Sequence, residues 1–208
     1  MDELLKNTIS TPISDEDICG LNAGDIIYLT GMAATCRDDG HKRVVEEGVK
    51  PDFDLAGMCI IHAGPIVKQK RDGSWEMVSI GPTTSRRMEA YEGEFIKETG
   101  VKIIIGKGGM GAKTAEECRG HKAIHCIYPG GCAVTAATQV EEIVGVEWED
   151  LGMPEAFWLM KVKEFGPLIV SIDTKGNNLF EENKKIFEIK KNREIEKACL
   201  NFIKNGHT

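Results

Sequence analysis

The sequence predicts an α/β domain. Three observations predict it: short β-branched runs recur along the chain, stretches with helical spacing lie between them, and glycine or proline punctuates the junctions. At 208 residues the chain is long enough to bury one good core, and no internal repeat or low-complexity linker divides it. A composition of 41% hydrophobic and 28% charged residues is ordinary for a globular protein and far from that of disordered chains.

The elements follow in order. After a polar opening, Gly24-Asp25 leads into IIYLTG, which reads as a strand, and MCIIHAGP reads as a second that ends at Gly64-Pro65. PIVKQKRDGSWEMVSIG predicts a hairpin through Arg71-Asp72-Gly73. From Arg86 to Thr99 the positions of Met88, Tyr91, Phe95 and Ile96 have helical spacing, with Gly100 as the C-terminal cap. VKIIIG, AIHCIY and PLIVSID are further strands. Near the end, Ile195, Ala198, Cys199, Phe202 and Ile203 make one apolar face, which predicts an amphipathic helix packed on the sheet and ended near Gly206.

Several function classes fall away on bulk properties. A net charge of −7 argues against a broad surface for nucleic acid or anionic membrane, because neutralising phosphates needs excess Lys and Arg. No run approaches the roughly 18 apolar residues that a membrane span requires, and MDELLKNTIS has no signal-peptide core, so a cytoplasmic protein is expected. The seven cysteines are odd in number, scattered and without a Cys-x-x-Cys pair. Reduced structural thiols are therefore expected, with no zinc or iron–sulfur site built from this chain alone.

The main functional clue is a pattern met three times: a strand ends in glycine or threonine, and a cation follows at the start of a helix. The loops are LTGMAATCRDDGHKR with Arg37, SIGPTTSRRMEAY with Arg86 and Arg87, and IIIGKGGMGAKTAEE with Lys107. In the second, Thr83, Thr84 or Ser85 would cap the helix. Arg86 and Arg87 would then oppose its dipole unless an anion, a carboxylate for instance, sat between them and the free N–H groups. An exposed arginine paired with Glu89 or Glu92 is the plainer alternative. GKGGMGAKT nearly spells a phosphate-binding loop, but Ala112 separates Gly111 from Lys113-Thr114 and displaces the lysine, so a smaller anion beside Lys107 fits better than a nucleotide. Thr83 is a candidate base, because nearby positive charge would stabilise its alkoxide; a helix cap is its bland reading. His41 reads as a cap or surface group that could touch an anion. His62 and His125, inside apolar strands, read as hydrogen-bonded core residues without a role. YPGGCAVTAATQV is rich in small residues, which suits tight packing.

Taken in order, TGMAATCRDDGHKR, AGPI, GPTTSRRM, IIIGKGGM, YPGGCAVTAA and EWEDLGMPEAFWLMKVKEFGPLIVSIDTKGNNLF resemble the C-terminal region of class I fumarate hydratases over about residues 24–180. They are equally similar to the β subunits of two-subunit fumarase and L-tartrate dehydratase. The resemblance implies a swivelling β/β/α domain and a larger partner, the α subunit, whose cysteines hold a [4Fe-4S] cluster with one open iron acting as Lewis acid. By motif, Thr83 becomes the catalytic base, and Arg37, Arg87 and Lys107 bind a small dicarboxylate; the chain itself would hold no metal. Fumarate hydration to L-malate is the first expectation and L-tartrate dehydration the second, with self-association of this subunit left open. A non-catalytic anion- or nucleotide-binding module is the reading from another class. Cys36, Ser85-Arg86 and Cys132 stand where the family more often has alanine or glycine, and Arg86 adds charge near the site.

Overall fold

Ile103, Ile104 and Ile105 are all buried, which a strand achieves only when both of its faces are covered. The computed structural model, which describes residues 7–204, shows what covers them. In chain order the elements are β1 (Thr8–Ser10), α1 (Asp15–Cys19), β2 (Ile26–Thr35), α2 (Asp38–Val45), β3 (Cys59–Ile61), β4 (Ile66–Gln69) and β5 (Trp75–Ser79). Then come α3 (Glu92–Thr99), β6 (Ile103–Gly106), α4 (Ala112–His121), β7 (Ile124–Ile127), α5 (Ala133–Ala137), β8 (Val140–Glu147), β9 (Phe157–Ile172) and α6 (Leu179–Lys204).

Strands β2, β3, β6 and β7 run parallel, and β9 runs antiparallel to both β7 and β2, so five strands close on themselves as a barrel. β1 adds to β2 in parallel and β8 lies antiparallel along β9. The two-residue period of a strand sorts the side chains. Cys59, Ile61, Ile103, Ile105, Ile124 and Cys126 point into the barrel with Leu168 and Val170 of β9. Ile60 and Ile104 point outward beneath Val44 of α2, Phe95 and Ile96 of α3 and Cys118 of α4. Each such isoleucine contributes about 1.5–3 kcal/mol relative to an exposed one.

The predicted hairpin is β4–β5, a separate two-stranded sheet that turns at Gly73 with φ 86°. Its Trp75 ring meets Trp158 of β9 edge-on at 5.1 Å. The small-residue run packs as expected: Ala136 and Ala137 are buried, and a Cβ on Gly81 would lie 3.0 Å from Ala133 Cβ.

Two expectations need correction. The helix placed from Arg86 to Thr99 is a 3₁₀ turn, Ser85–Met88, followed by the separate helix α3; Gly100 does cap α3, in the left-handed region at φ 70°. The break has a cause: Ser85 cannot cap a helix start because its hydroxyl is turned inward to two buried histidines, and Met88 is drawn into the core. The C-terminal helix exists, but side chains 182–199 are exposed, so no packed face is seen there. The Phe202 and Ile203 side chains and Gly206 lie outside the described residues. Among the described residues no helix is long and apolar enough to cross a membrane.

Candidate functional site

The three cationic loops meet at one edge of the barrel, beyond the carboxyl ends of β2, β3 and β6. The first is held by β2: the Cys36 amide donates to Ile61 O at 3.1 Å, and the Thr35 hydroxyl takes the Trp158 N–H at 3.1 Å. Arg37 stands immediately before α2 as its N-cap residue, and its side chain makes no capping hydrogen bond. Its Nε lies 3.1 Å from Glu155 Oε1. Its guanidinium crosses Gly64 so closely that a Cβ there would sit 2.3 Å from Nη1.

The second loop follows the hairpin rather than a barrel strand, and it is tied down by backbone. The Thr83 amide donates to His62 O at 2.6 Å, and Ala63 bridges to Pro82. The third loop pairs with it. Lys107 N donates to Thr83 O and Ser85 N donates to Lys107 O, both at 3.0 Å. Thr83 and Lys107 are therefore neighbours through main-chain hydrogen bonds that side-chain motion does not disturb.

Side chains complete the arrangement. Arg87 Nη1 donates to Thr83 Oγ1 at 3.2 Å, and Nε donates to Asp38 Oδ1 at 2.9 Å while Nη2 grips the other Asp38 oxygen. Such a two-point clamp fixes the guanidinium plane. Partial burial would raise the Asp38 carboxyl, but the hydrogen bond and charge of Arg87 outweigh it and hold it below the usual range. Lys107 is exposed, its stem runs past Gly130, and it makes no ion pair among the described residues. Thr83, Arg87 and Lys107 are thus in one place, with Arg37 on the adjoining loop beside Asp38. A half-buried hydroxyl that accepts from a guanidinium, with two more cations near, can bind a dianion and stabilise negative charge on the hydroxyl oxygen.

Neither carboxylate weighed as a partner for Arg86 is one. Glu89 instead caps α4: it accepts from Gly111 N at 2.5 Å, from Thr114 Oγ1 at 2.9 Å and from Thr114 N at 3.4 Å. The N–H groups that would have cradled a phosphate are occupied by the protein's own carboxylate. Glu92 is wholly buried beneath the loops, between His41 and His62. His41 is equally buried, contrary to its reading as a cap or surface group, whereas His62 and His125 are hydrogen-bonded core residues as expected.

This buried cluster is what sequence reading missed, although one signal was available: Glu92 lies three and four residues before Phe95 and Ile96, on the face of α3 that had to be apolar. Burial alone would raise Glu92, but His62 and His41 outweigh it and hold the carboxyl well below its ordinary range. Burial would lower His41, yet Cys36 and Glu92 raise it well above an ordinary histidine. Burial depresses His62 and pushes His125 down to about 3.

Among the described residues, His41, His62 and Glu92 are the only three potential metal donors that come together. The cysteines do not gather: Cys36, Cys59, Cys118 and Cys126 are buried, Cys19 and Cys199 exposed and Cys132 in between. Burial raises the Cys59 and Cys126 thiols, the reverse of what a thiolate ligand needs. Among the described residues no three cysteines come together as an iron–sulfur cluster needs. A cleft of about 460 Å³ lies elsewhere, between α4 and the start of α6.

Comparison with known proteins gives a consistent set. Residues 3–183 match the family model described as the fumarase C-terminus. The β subunit of L(+)-tartrate dehydratase from Escherichia coli K12 is 55% identical over 202 residues, covering 96% of this chain and 100% of that one. A putative L(+)-tartrate dehydratase β subunit from Methanocaldococcus jannaschii is 44% identical, covering 85% of this chain and 92% of its own. A putative class I fumarate hydratase from Geobacillus stearothermophilus is 37% identical over 86% of this chain, which is only 34% of that longer protein.

Proposed function

This chain belongs to the family of fumarase C-terminal domains, and from that premise we propose that it is the β subunit of a two-subunit hydro-lyase whose substrate is L(+)-tartrate. One observation carries the chemistry: the Thr83 hydroxyl accepts from Arg87 at 3.2 Å on the same edge that presents Lys107 and Arg37. L-Tartrate takes precedence over fumarate because this chain matches the whole of a tartrate dehydratase β subunit at 55%, but only a third of a fumarase at 37%. Fumarate, the first expectation from sequence, becomes the second reading.

The residues of this chain divide the work. Lys107, exposed and without an ion pair among the described residues, meets one substrate carboxylate, and Arg37 offers its N–H groups beside Gly64 to the same dianion. Thr83 accepts the proton from the substrate carbon next to a carboxylate, its alkoxide form being favoured by Arg87. Proton removal builds negative charge toward that carboxylate, where Arg37, Arg87 and Lys107 stabilise it. A [4Fe-4S] cluster is assigned to the α subunit and not to this chain, whose donors do not suit one. The donor of a proton to the departing hydroxyl is also placed on the partner.

A nucleotide-binding module is the weaker alternative, because Glu89 already fills the anion seat at the start of α4. The test is anaerobic mixing of this chain with its α subunit, with L-tartrate and fumarate assayed in parallel and each subunit assayed alone. Turnover only in the mixture, with the higher kcat/KM for L-tartrate, is expected. Turnover by the isolated chain, or a preference for fumarate, would overturn the corresponding part of the reading.

A further inference from the structure

The buried carboxylate of Glu92 touches both histidines through one oxygen: Oε2 lies 3.3 Å from His41 Nε2 and 2.9 Å from His62 Nε2, and all three side chains are fully buried. Each histidine holds a different part of the candidate site. His41 grips the backbone of Arg37 twice, its amide donating to Arg37 O at 2.9 Å and its Nδ1 lying 2.8 Å from the same oxygen. His62 accepts the Thr83 amide on its carbonyl at 2.6 Å. We propose that Glu92 is a positioning residue for the reaction proposed above, on which this role rests: by clasping His41 and His62 it sets the placement of Arg37 relative to Thr83.

Proton bookkeeping gives the clasp its charge. A carbonyl only accepts, so His41 Nδ1 facing Arg37 O carries a hydrogen, and Nε2 facing a carboxylate carries another. His41 is therefore an imidazolium, and with the Glu92 carboxylate it forms a buried pair of zero net charge. One cation suffices. His62 Nε2 lies 2.9 Å from Glu92 Oε2 as an ion-pair contact rather than an aligned hydrogen bond, which places its hydrogen on Nε2, and its Nδ1 lies 3.1 Å from the Ser85 hydroxyl. Ser85 Oγ also lies 3.0 Å from His125 Nε2, and His125 Nδ1 lies 2.5 Å from the hydroxyl oxygen of Ser171, which donates to His125 O at 3.1 Å. The other groups acting on this set are Cys36, with Sγ 3.3 Å from His41 Nδ1, and the Asp38 carboxylate acting on His62. The raised His41 and the depressed His62 and His125 agree with this assignment.

A divalent metal held by the same three donors is the competing occupant. It would leave a buried net charge with one carboxylate, and no fourth donor faces the three among the described residues, since Cys36 lies at the wrong nitrogen. The imidazolium pair leaves no net charge and needs no fourth donor, and its Nε2 and carboxylate atoms meet as ion-pair contacts at 2.9 and 3.3 Å rather than as aligned hydrogen bonds.

The test combines ¹⁵N-histidine NMR on the full chain with kinetics of the reconstituted complex. At neutral pH His41 should carry protons on both nitrogens, and His62 and His125 should each be neutral with a proton on one nitrogen. Glu92→Gln should take one proton from His41 and lower kcat about ten- to hundredfold, the scale of a catalytic group displaced by about an ångström. Glu92→Asp should keep the imidazolium and recover most of the rate. A neutral His41 in the unmodified chain, a stoichiometric divalent metal on elemental analysis, or a folded Glu92→Gln complex with unchanged kcat would overturn the proposal. The NMR result is read without turnover, so failure of the hydro-lyase reading would show separately; should Glu92→Gln not fold, the unmodified chain and Glu92→Asp still decide.

Discussion

At the scale of single residues, the site depends on close approach as much as on charge. Gly64 is the sharpest case, because a Cβ there would lie 2.3 Å from Arg37 Nη1 and 3.0 Å from the Pro154 carbonyl. The guanidinium can swing away but the carbonyl cannot, so Gly64→Ala should displace Arg37 from its seat. Hydrogen bonds to charged groups are worth about 1.5–3 kcal/mol, and steady-state kinetics of the reconstituted complex should show KM for the diacid raised about tenfold or more. An unchanged KM would mean that Arg37 does not meet the substrate from this position. Arg37, Thr83, Arg87 and Lys107 could be singled out from sequence because a cation or hydroxyl just past a strand end is conspicuous in a linear reading. Glu92 left only the trace of a carboxylate on the apolar face of α3, and His41 left none, because their contacts exist only where α2, α3 and the end of β3 converge. A lone carboxylate in a helix looks solvated until its partners, 30 and 51 residues back in the chain, are brought to it.

At the scale of elements, legibility followed burial. β3, β6 and β7 were plain as apolar runs because both of their faces are covered, and the β4–β5 hairpin was plain from its turn. β8 and the first half of β9 were missed: Glu141, Glu142 and Glu147 interrupt β8, Lys161, Lys163 and Glu164 interrupt β9, and β9 there pairs with β2, more than a hundred residues away, as well as with β8. The buried histidines give these elements a pH signature. His125, between β7 and β9, is pushed from 6.5 down to about 3 by burial and by His62. The unfolded chain therefore takes up a proton below about 6.5 that the folded chain refuses until about 3, and stability falls with falling pH across that window. Glu92, held low, adds to the loss from about 4.5 downward, where the unfolded carboxyl takes up a proton that the folded one refuses. His41 has the opposite sign: its folded value is raised, so its contribution is complete below 6.5 and is lost as pH rises through the folded value. Thermal melting against pH should thus peak near neutrality and decline on both sides. An acid limb that stays flat down to about 3 would contradict a buried neutral His125.

At the scale of the whole molecule, a five-strand barrel carries three loops at one edge and buries the Glu92 cluster beneath them, while the outer side of that edge stays open. Lys107 and Arg87 are exposed on that side. An open wall of cations is what a subunit needs if another protein is to supply the opposite wall, and the full-length match to β subunits points the same way. The long α6 was legible as a helix, but not as one whose side chains 182–199 remain exposed, because packing depends on neighbours that periodicity does not name. In the proposed reaction this edge transfers the proton through Thr83. The most direct test is kcat for L-tartrate dehydration by the complex reconstituted with Thr83→Ala, with complex formation verified by mass. Loss of a general base should lower kcat by about 100-fold or more with KM little changed. A variant complex that assembles and retains kcat within a few-fold of the unmodified enzyme would contradict the account.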